Sequence, residues 1–174
     1  GEVKMKNVAV IDYGAGNQKN IFRAIKAIGC NPLLASLPAD LDDVNYIIVP
    51  GMGSFSIAIT HLKKSGLFDA LIHAANGGKN LLGICLGLQM FFENGDEGGS
   101  NKGLGLLKGQ ILPLEKFCTF DVGYKIPVMG WYKLDWHIPK DDTDFSKVIN
   151  TITDEHMYFA HSFGVVPENK NVEI

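Results

Sequence analysis

Gly83-Ile84-Cys85-Leu86-Gly87 is a G-x-C-x-G segment set between a continuous apolar run, Asn80 to Ile84, and apolar residues at helical spacing, Leu86, Met90 and Phe91. A cysteine so placed fits a nucleophile elbow, a turn tight enough to strain the nucleophile's backbone and to require small residues two before and two after it. Gly83 and Gly87 meet that requirement. At the start of the following helix, Cys85 would face unpaired N–H groups and a helix dipole, both of which favour the nucleophilic thiolate. The N–H of Leu86 would point to where a tetrahedral oxyanion forms. The alternative is a structural cysteine in a chance glycine setting, and the strand before and helix after favour the nucleophile over it. The elbow is silent on the substrate.

Pro50-Gly51-Met52-Gly53-Ser54 is a second glycine-rich segment, able either to bring backbone N–H groups close to a ligand as the other half of an oxyanion hole or simply to turn the chain into the next helix. Asp12-Tyr13-Gly14-Ala15-Gly16-Asn17 superficially suggests a dinucleotide fingerprint, but the third glycine would fall at Lys19. No acidic residue lies about 20 residues further on, before Asp40. With no Walker A sequence either, no cofactor is expected. His61 and His73 fall in a helical stretch and read as solvated or structural, and His137 and His156 sit in polar surroundings. His161, in a strand-like segment, is by itself a structural histidine. Cys30 and Cys118 have neither elbow nor charged neighbours and read as packing residues, and Asp154-Glu155-His156 has no metal-ligand spacing.

These groups need a scaffold, and the pattern supplies one. Asn7 to Tyr13, Pro32 to Ala35, Tyr46 to Val49 and Asn80 to Ile84 read as strands. A helix follows Asn17, its N-cap, with Ile21, Ala24, Ile25 and Ile28 at helical spacing and Gly29 at its end. Another runs from about Ser56 to Ala75, broken at Gly66. Gly95 to Gly105 reads as a loop, and Gln110 to Leu114, Tyr132 to Trp136 and Met157 to Phe163 as later strands. Strands apolar along their whole length predict an α/β fold: a three-layer, open, mostly parallel sheet with helices on both faces. Its working groups belong at the carboxyl ends of the strands, where Asp12 to Asn17, Pro50 to Gly53 and Cys85 all fall.

Composition narrows the function classes. The 174 residues, with 16 basic and 19 acidic side chains, suit one globular domain, 1–174. No apolar run approaches the roughly 18 residues that cross a bilayer, no secretory signal opens the chain, and no basic cluster offers a nucleic-acid footprint. Three widely spaced cysteines without a CxxC suit a reducing, cytoplasmic setting.

Together these residues resemble the class I, or triad, glutamine amidotransferases, and more narrowly the glutaminase subunits of imidazole glycerol phosphate synthase. The matching pieces are Val10 to Asn17, Pro50 to Phe55, Leu82 to Gln89, Gly103-Leu104-Gly105, Pro127 to Trp131 and Tyr158 to Phe163, in family order. The resemblance implies that Cys85 attacks the side-chain amide of glutamine, with the oxyanion held by backbone N–H groups of Leu86, Gly51, Met52 and Gly53. Ammonia leaves a γ-glutamyl thioester that water hydrolyses. Gln89, His161, Ser162 and Phe163 would hold the amino-acid end of glutamine. The partner implied is a (β/α)8-barrel cyclase of histidine biosynthesis, faced by Tyr13, Asn17, Trp131 and Tyr158. Relatives of this subunit also serve the amidation of surface sugars.

Two departures from the family pattern bear on function. That pattern has a His-x-Glu pair on a later strand, the histidine serving as base and the glutamate orienting it, and no His-x-Glu occurs in these 174 residues. The expectation is a domain truncated at its C-terminus, with little glutaminase activity in this chain. The usual His-Met-Gly-Trp-Asn appears as Val128-Met129-Gly130-Trp131-Tyr132.

Overall fold

Strand β1 (Asn7–Ile11) sends alternate side chains to two apolar layers, and that alternation organises the first half of the chain. The structure, a computed structural model, describes residues 5–14, 16–119, 125–134, 147 and 155–168. On one face Val8 and Val10 meet Ile21, Phe22 and Ile25 of helix α1 (Gln18–Ala27). On the other, Ala9 and Ile11 join the larger core with helices α2 (Phe55–Ser65) and α3 (Leu67–Asn76). Strand β3 (Tyr46–Val49) repeats the division, with Ile48 facing α1 and Ile47 and Val49 in the larger core. Full burial of each such aliphatic side chain stabilises the fold by about 1.5–3 kcal/mol.

With β2 (Asn31–Ala35) and β4 (Asn80–Gly83), these strands form a parallel sheet in the order β2-β1-β3-β4. The chain leaves β1 for β2 on one side and β3 on the other, so the strand order reverses between β1 and β3. Ligands in open α/β sheets bind beyond the carboxyl ends at such a point. Asp12, Pro50 and Cys85 lie at that edge, as the sequence implied. Asn17 caps α1 through Asn20 N–H, and Gly66, at φ +77°, breaks α2 from α3.

Several expectations change. The helix after Cys85 is a single turn, α4 (Leu86–Gln89), and the chain passes at once into strand β5 (Phe92–Gly95). Met90, Phe91 and Phe92 are all buried, and three consecutive buried side chains suit a strand entering a core better than one face of a helix. Ile28 does not extend the buried face of α1: it caps the helix and is 75% exposed, because Gly29, at φ +75°, turns the chain away.

The predicted loop from Gly95 to Gly105 also contains strand β6 (Asn101–Lys102), paired with β5. Strand β7 (Leu107–Pro113) starts earlier than expected, and Leu114 opens a 3-10 turn. Strand β8 (Val128–Lys133) likewise precedes its predicted span, the rest of which, with His137, lies outside the described residues. The predicted Met157 to Phe163 strand is two, β9 (His156–His161) and β10 (Phe163–Pro167), with a bend at Ser162. Parallel pairing therefore dominates only the first half. The second sheet, β10-β7-β5-β6, is mixed, and β8-β9 is an antiparallel ribbon. Among the described residues no helix is long and apolar enough to cross a membrane.

Candidate active site

The elbow is built by backbone crowding. Cys85 has φ +53° and ψ −115° and is the one non-glycine residue with positive φ among the described residues. Its turn is tied down by Ile84 N–H to the Val49 carbonyl at 3.0 Å and Gly87 N–H to the Ile84 carbonyl at 2.9 Å. A Cβ on Gly83 would strike the Leu88 backbone, and one on Gly87 the Val49 carbonyl. Gly51 is under the same constraint from the other side, since its Cβ would fall on the Gly87 N. The two glycine-rich segments are thus interlocked, and neither admits a side chain at these positions. Cys85 stands exposed at the top.

A cleft of about 390 Å³ opens over it, large enough for an amino acid, lined by Gly51, Met52, Gly53, Cys85, Leu86, Gln89, His161, Ser162 and Phe163. Every residue the sequence reading placed at the thiol, the oxyanion loop or the substrate end lies around this one cleft. The N–H groups of Gly51, Gly53 and Leu86 bond to no described residue, and all three residues line the cleft. A one-turn α4 carries little dipole, so the N–H groups themselves are the positive end of the site. On the far wall, His161 Nδ1 donates to the Phe163 carbonyl at 2.8 Å, and Gln89 Nε2 approaches the same oxygen at 3.5 Å. Leu114 N–H holds the Ser162 carbonyl at 3.0 Å, so the bend between β9 and β10 is fixed against the second sheet.

Glu97, Pro127 and Ala160 complete the lining and were not singled out from sequence. Glu97 supplies a carboxylate, and its Oε2 accepts the Phe55 N–H at 2.9 Å, which anchors it across the cleft from the elbow helix. Pairing of β5 with β6 and β7 turns it inward, and no local pattern distinguishes it from the neighbouring Asp96.

The partner-facing residues divide. Trp131 and Tyr158 are paired across the β8-β9 ribbon, 69% and 54% exposed, with ring centroids 5.7 Å apart at 68°. Asn17 is exposed but occupied as the cap of α1. Tyr13 does not match its expected place: it is 4% exposed, and its hydroxyl donates to the Pro50 carbonyl at 2.7 Å. Burial pushes this phenol up to about 12, the facing Met52 N–H works in the opposite direction, and the charge of Cys85 adds to burial. Tyr13 therefore packs against the Pro50 end of the second glycine-rich loop, outside the lining of the cleft, and presents no surface to a partner.

Residues 9–174 match the family model described as "Glutamine amidotransferase class-I". The chain belongs to that family. It is 36% identical over 165 residues to the imidazole glycerol phosphate synthase subunit HisH of Geobacillus kaustophilus, covering 95% of this chain and 75% of that one. It is 39% identical to HisH of Desulfitobacterium hafniense over 166 residues, 95% of this chain and 73% of that protein. A crystal structure of a glutamine amidotransferase superposes with a TM-score of 0.70 at 16% identity, covering 94% of this chain and 75% of that chain. PurLQS from Thermotoga maritima gives 0.66 at 22% identity, covering 98% and 74%. At these identities the two structures speak for the fold alone, and they agree with the open, helix-covered sheet of this amidotransferase.

Proposed function

We propose that this amidotransferase is the glutamine-hydrolysing, ammonia-supplying subunit of an imidazole glycerol phosphate synthase. The observation that carries the chemistry is a strained, exposed Cys85 beside the unpaired N–H groups of Gly51 and Leu86. The thiolate attacks the side-chain carbonyl carbon of glutamine. A C–S bond forms, and the oxyanion settles on those donors. Collapse breaks the C–N bond, the amide nitrogen takes a proton and leaves as ammonia, and a γ-glutamyl thioester remains. Water attacks the thioester, the C–S bond breaks, and glutamate and the thiol are released.

Glu97 complements the α-ammonium of glutamine, while Gln89 and the 161–163 bend hold the amino-acid end from the opposite wall. Ammonia passes to a (β/α)8-barrel cyclase, which the exposed Trp131 and Tyr158 face. The setting is the cytoplasm. The test is ammonia release from glutamine by the protein with such a partner, together with labelling by a glutamine-like diazo-ketone. Modification of Cys30 or Cys118 with Cys85 spared refutes the assignment. Among the described residues no side chain hydrogen-bonds the Cys85 thiol, which favours a second reading: a chain that keeps the fold for binding and turns glutamine over slowly or not at all. Glutamine-dependent ammonia release by the 174-residue protein with its partner excludes that reading.

A further inference from the structure

Residues 52–54 are the least supported part of the cleft wall. Met52 is 63% exposed, and no atom lies within 4 Å of where a Cβ on Gly53 would stand. So short a span takes its place from its two ends. Upstream, the interlock of Gly51 with Gly87 and the Tyr13 hydroxyl on the Pro50 carbonyl hold the chain. Downstream it must be held where α2 begins, and the N-cap residue does not do this. Serine ordinarily caps a helix with its own oxygen, yet Ser54 Oγ pairs with Ser56 Oγ at 3.1 Å and makes no cap hydrogen bond.

Glu97 caps the helix instead, from 42 residues away. Its Oε2 accepts the Phe55 N–H at 2.9 Å, and a carboxylate suits the positive end of an 11-residue helix. The neighbouring glycines grip the same turn. A Cβ on Gly95 would stand 2.9 Å from the buried Phe55 ring, and one on Gly98 would stand 2.8 Å from Ser56 Oγ. Asp96 N–H is tied to the Ile111 carbonyl at 3.1 Å, so the grip is anchored in the second sheet. Glu97 also lines the cleft. One carboxylate therefore stands both at the substrate's wall and at the root of the loop beside Cys85.

We propose that Glu97 is a positioning residue: by capping α2 at Phe55, it fixes the downstream end of the 52–54 span and hence the place of that wall against a substrate held at Cys85. The role rests on Cys85 being the nucleophile, and it is separate from the charge that Glu97 offers the α-ammonium of glutamine. The two tasks use different properties of one side chain. A cap needs an acceptor, whereas an ammonium group needs charge. Glu97→Gln keeps the acceptor and loses the charge, and Glu97→Met, of similar length, loses both.

The experiment measures inactivation of the 174-residue protein and the two variants by a glutamine-shaped chloroketone, which alkylates the thiol as the C–S bond forms and chloride leaves. Saturation separates the binding constant KI from the limiting rate kinact. KI rises about tenfold in both variants as the charge is lost. In Glu97→Gln kinact stays within about twofold, and in Glu97→Met it falls about tenfold or more because the loop is misplaced. Iodoacetamide, which reports only the thiol's exposure and reactivity, alkylates all three proteins at rates within about twofold of one another. Equal kinact in the two variants, or a parallel fall of the iodoacetamide rate in Glu97→Met, overturns the positioning role. An unchanged KI in both variants, with kinact lost only in Glu97→Met, removes the ammonium contact and upholds the positioning role. If the unsubstituted protein reacts with iodoacetamide at Cys85 but not with the chloroketone, the glutaminase reading fails, and the role fails with it.

Amide exchange in the unsubstituted protein gives a second readout should Glu97→Met not fold. In the first turn of α2 the N–H groups of Ser56 and Ile57 bond to no described residue. The Phe55 amide exchanges more slowly than both after correction for sequence. Equal exchange at all three positions overturns the cap and the role built on it.

Discussion

Replacing Cys85 by glycine should make the protein more stable while removing its nucleophile. Cys85 holds φ +53° and ψ −115°, outside even the small left-handed region open to L-residues. Holding a non-glycine residue in so sparsely populated a conformation costs about 1–3 kcal/mol. Glycine relieves that strain but brings more freedom to the unfolded chain, which returns about 0.4–1 kcal/mol. The thiol is exposed, so its loss removes little packing.

The net gain for Cys85→Gly is about 1 kcal/mol, which in a chain of 174 residues raises Tm by about 2–4 °C. Cys85→Ala is the proper reference, because it loses the thiol yet keeps a Cβ in the strained turn. The assay is urea unfolding of both variants followed by circular dichroism, read at the midpoint with the slope held common. If Cys85→Gly is no more stable than Cys85→Ala, the elbow stores no strain, and the geometric argument for an activated cysteine loses its basis.

The remaining predictions concern the walls of the same site. Gly87→Ala drives a Cβ into the Val49 and Pro50 carbonyls and destabilises the fold by about 3 kcal/mol in urea titration. Gly53→Ala, with φ +99° and no atom within 4 Å, costs only about 1 kcal/mol from its backbone conformation. Burial favours the neutral phenol of Tyr13, so its contribution to stability is complete below about 10 and is lost as pH rises towards about 12. The urea midpoint of the unsubstituted protein therefore falls more steeply over that window than that of Tyr13→Phe, and equal slopes contradict a buried phenol. Glu97→Gln retains an acceptor for the Phe55 N–H and leaves stability unchanged, but it removes the charge proposed to complement the α-ammonium of glutamine. Its KM for glutamine rises about tenfold, and an unchanged KM removes Glu97 from the substrate.

What was legible in the sequence and what was not follow from how far the determining contact lies along the chain. Cys85 could be read because Gly83 and Gly87, two residues away on either side, carry the steric condition for the elbow themselves. The strand Tyr46–Val49 and the break at Gly66 were equally local. The length of the helix after Cys85 was not, because Met90 and Phe91 at helical spacing are equally compatible with a strand. What decided it was pairing of β5 with β7, beginning at Phe92 opposite Leu107.

Glu97 and Tyr13 make the same point for the site. Glu97 enters the cleft because Gly95 pairs with both Asn101 and Ile111, and nothing within its own loop turns it inward. Tyr13 sits in a glycine-rich loop whose composition signals exposure, yet a carbonyl 37 residues away pulls its hydroxyl under the elbow. The chemistry at Cys85 is thus a local property of one turn. The aim of the groups around it is a property of the sheet edge, where chain segments distant in sequence meet and correct one another.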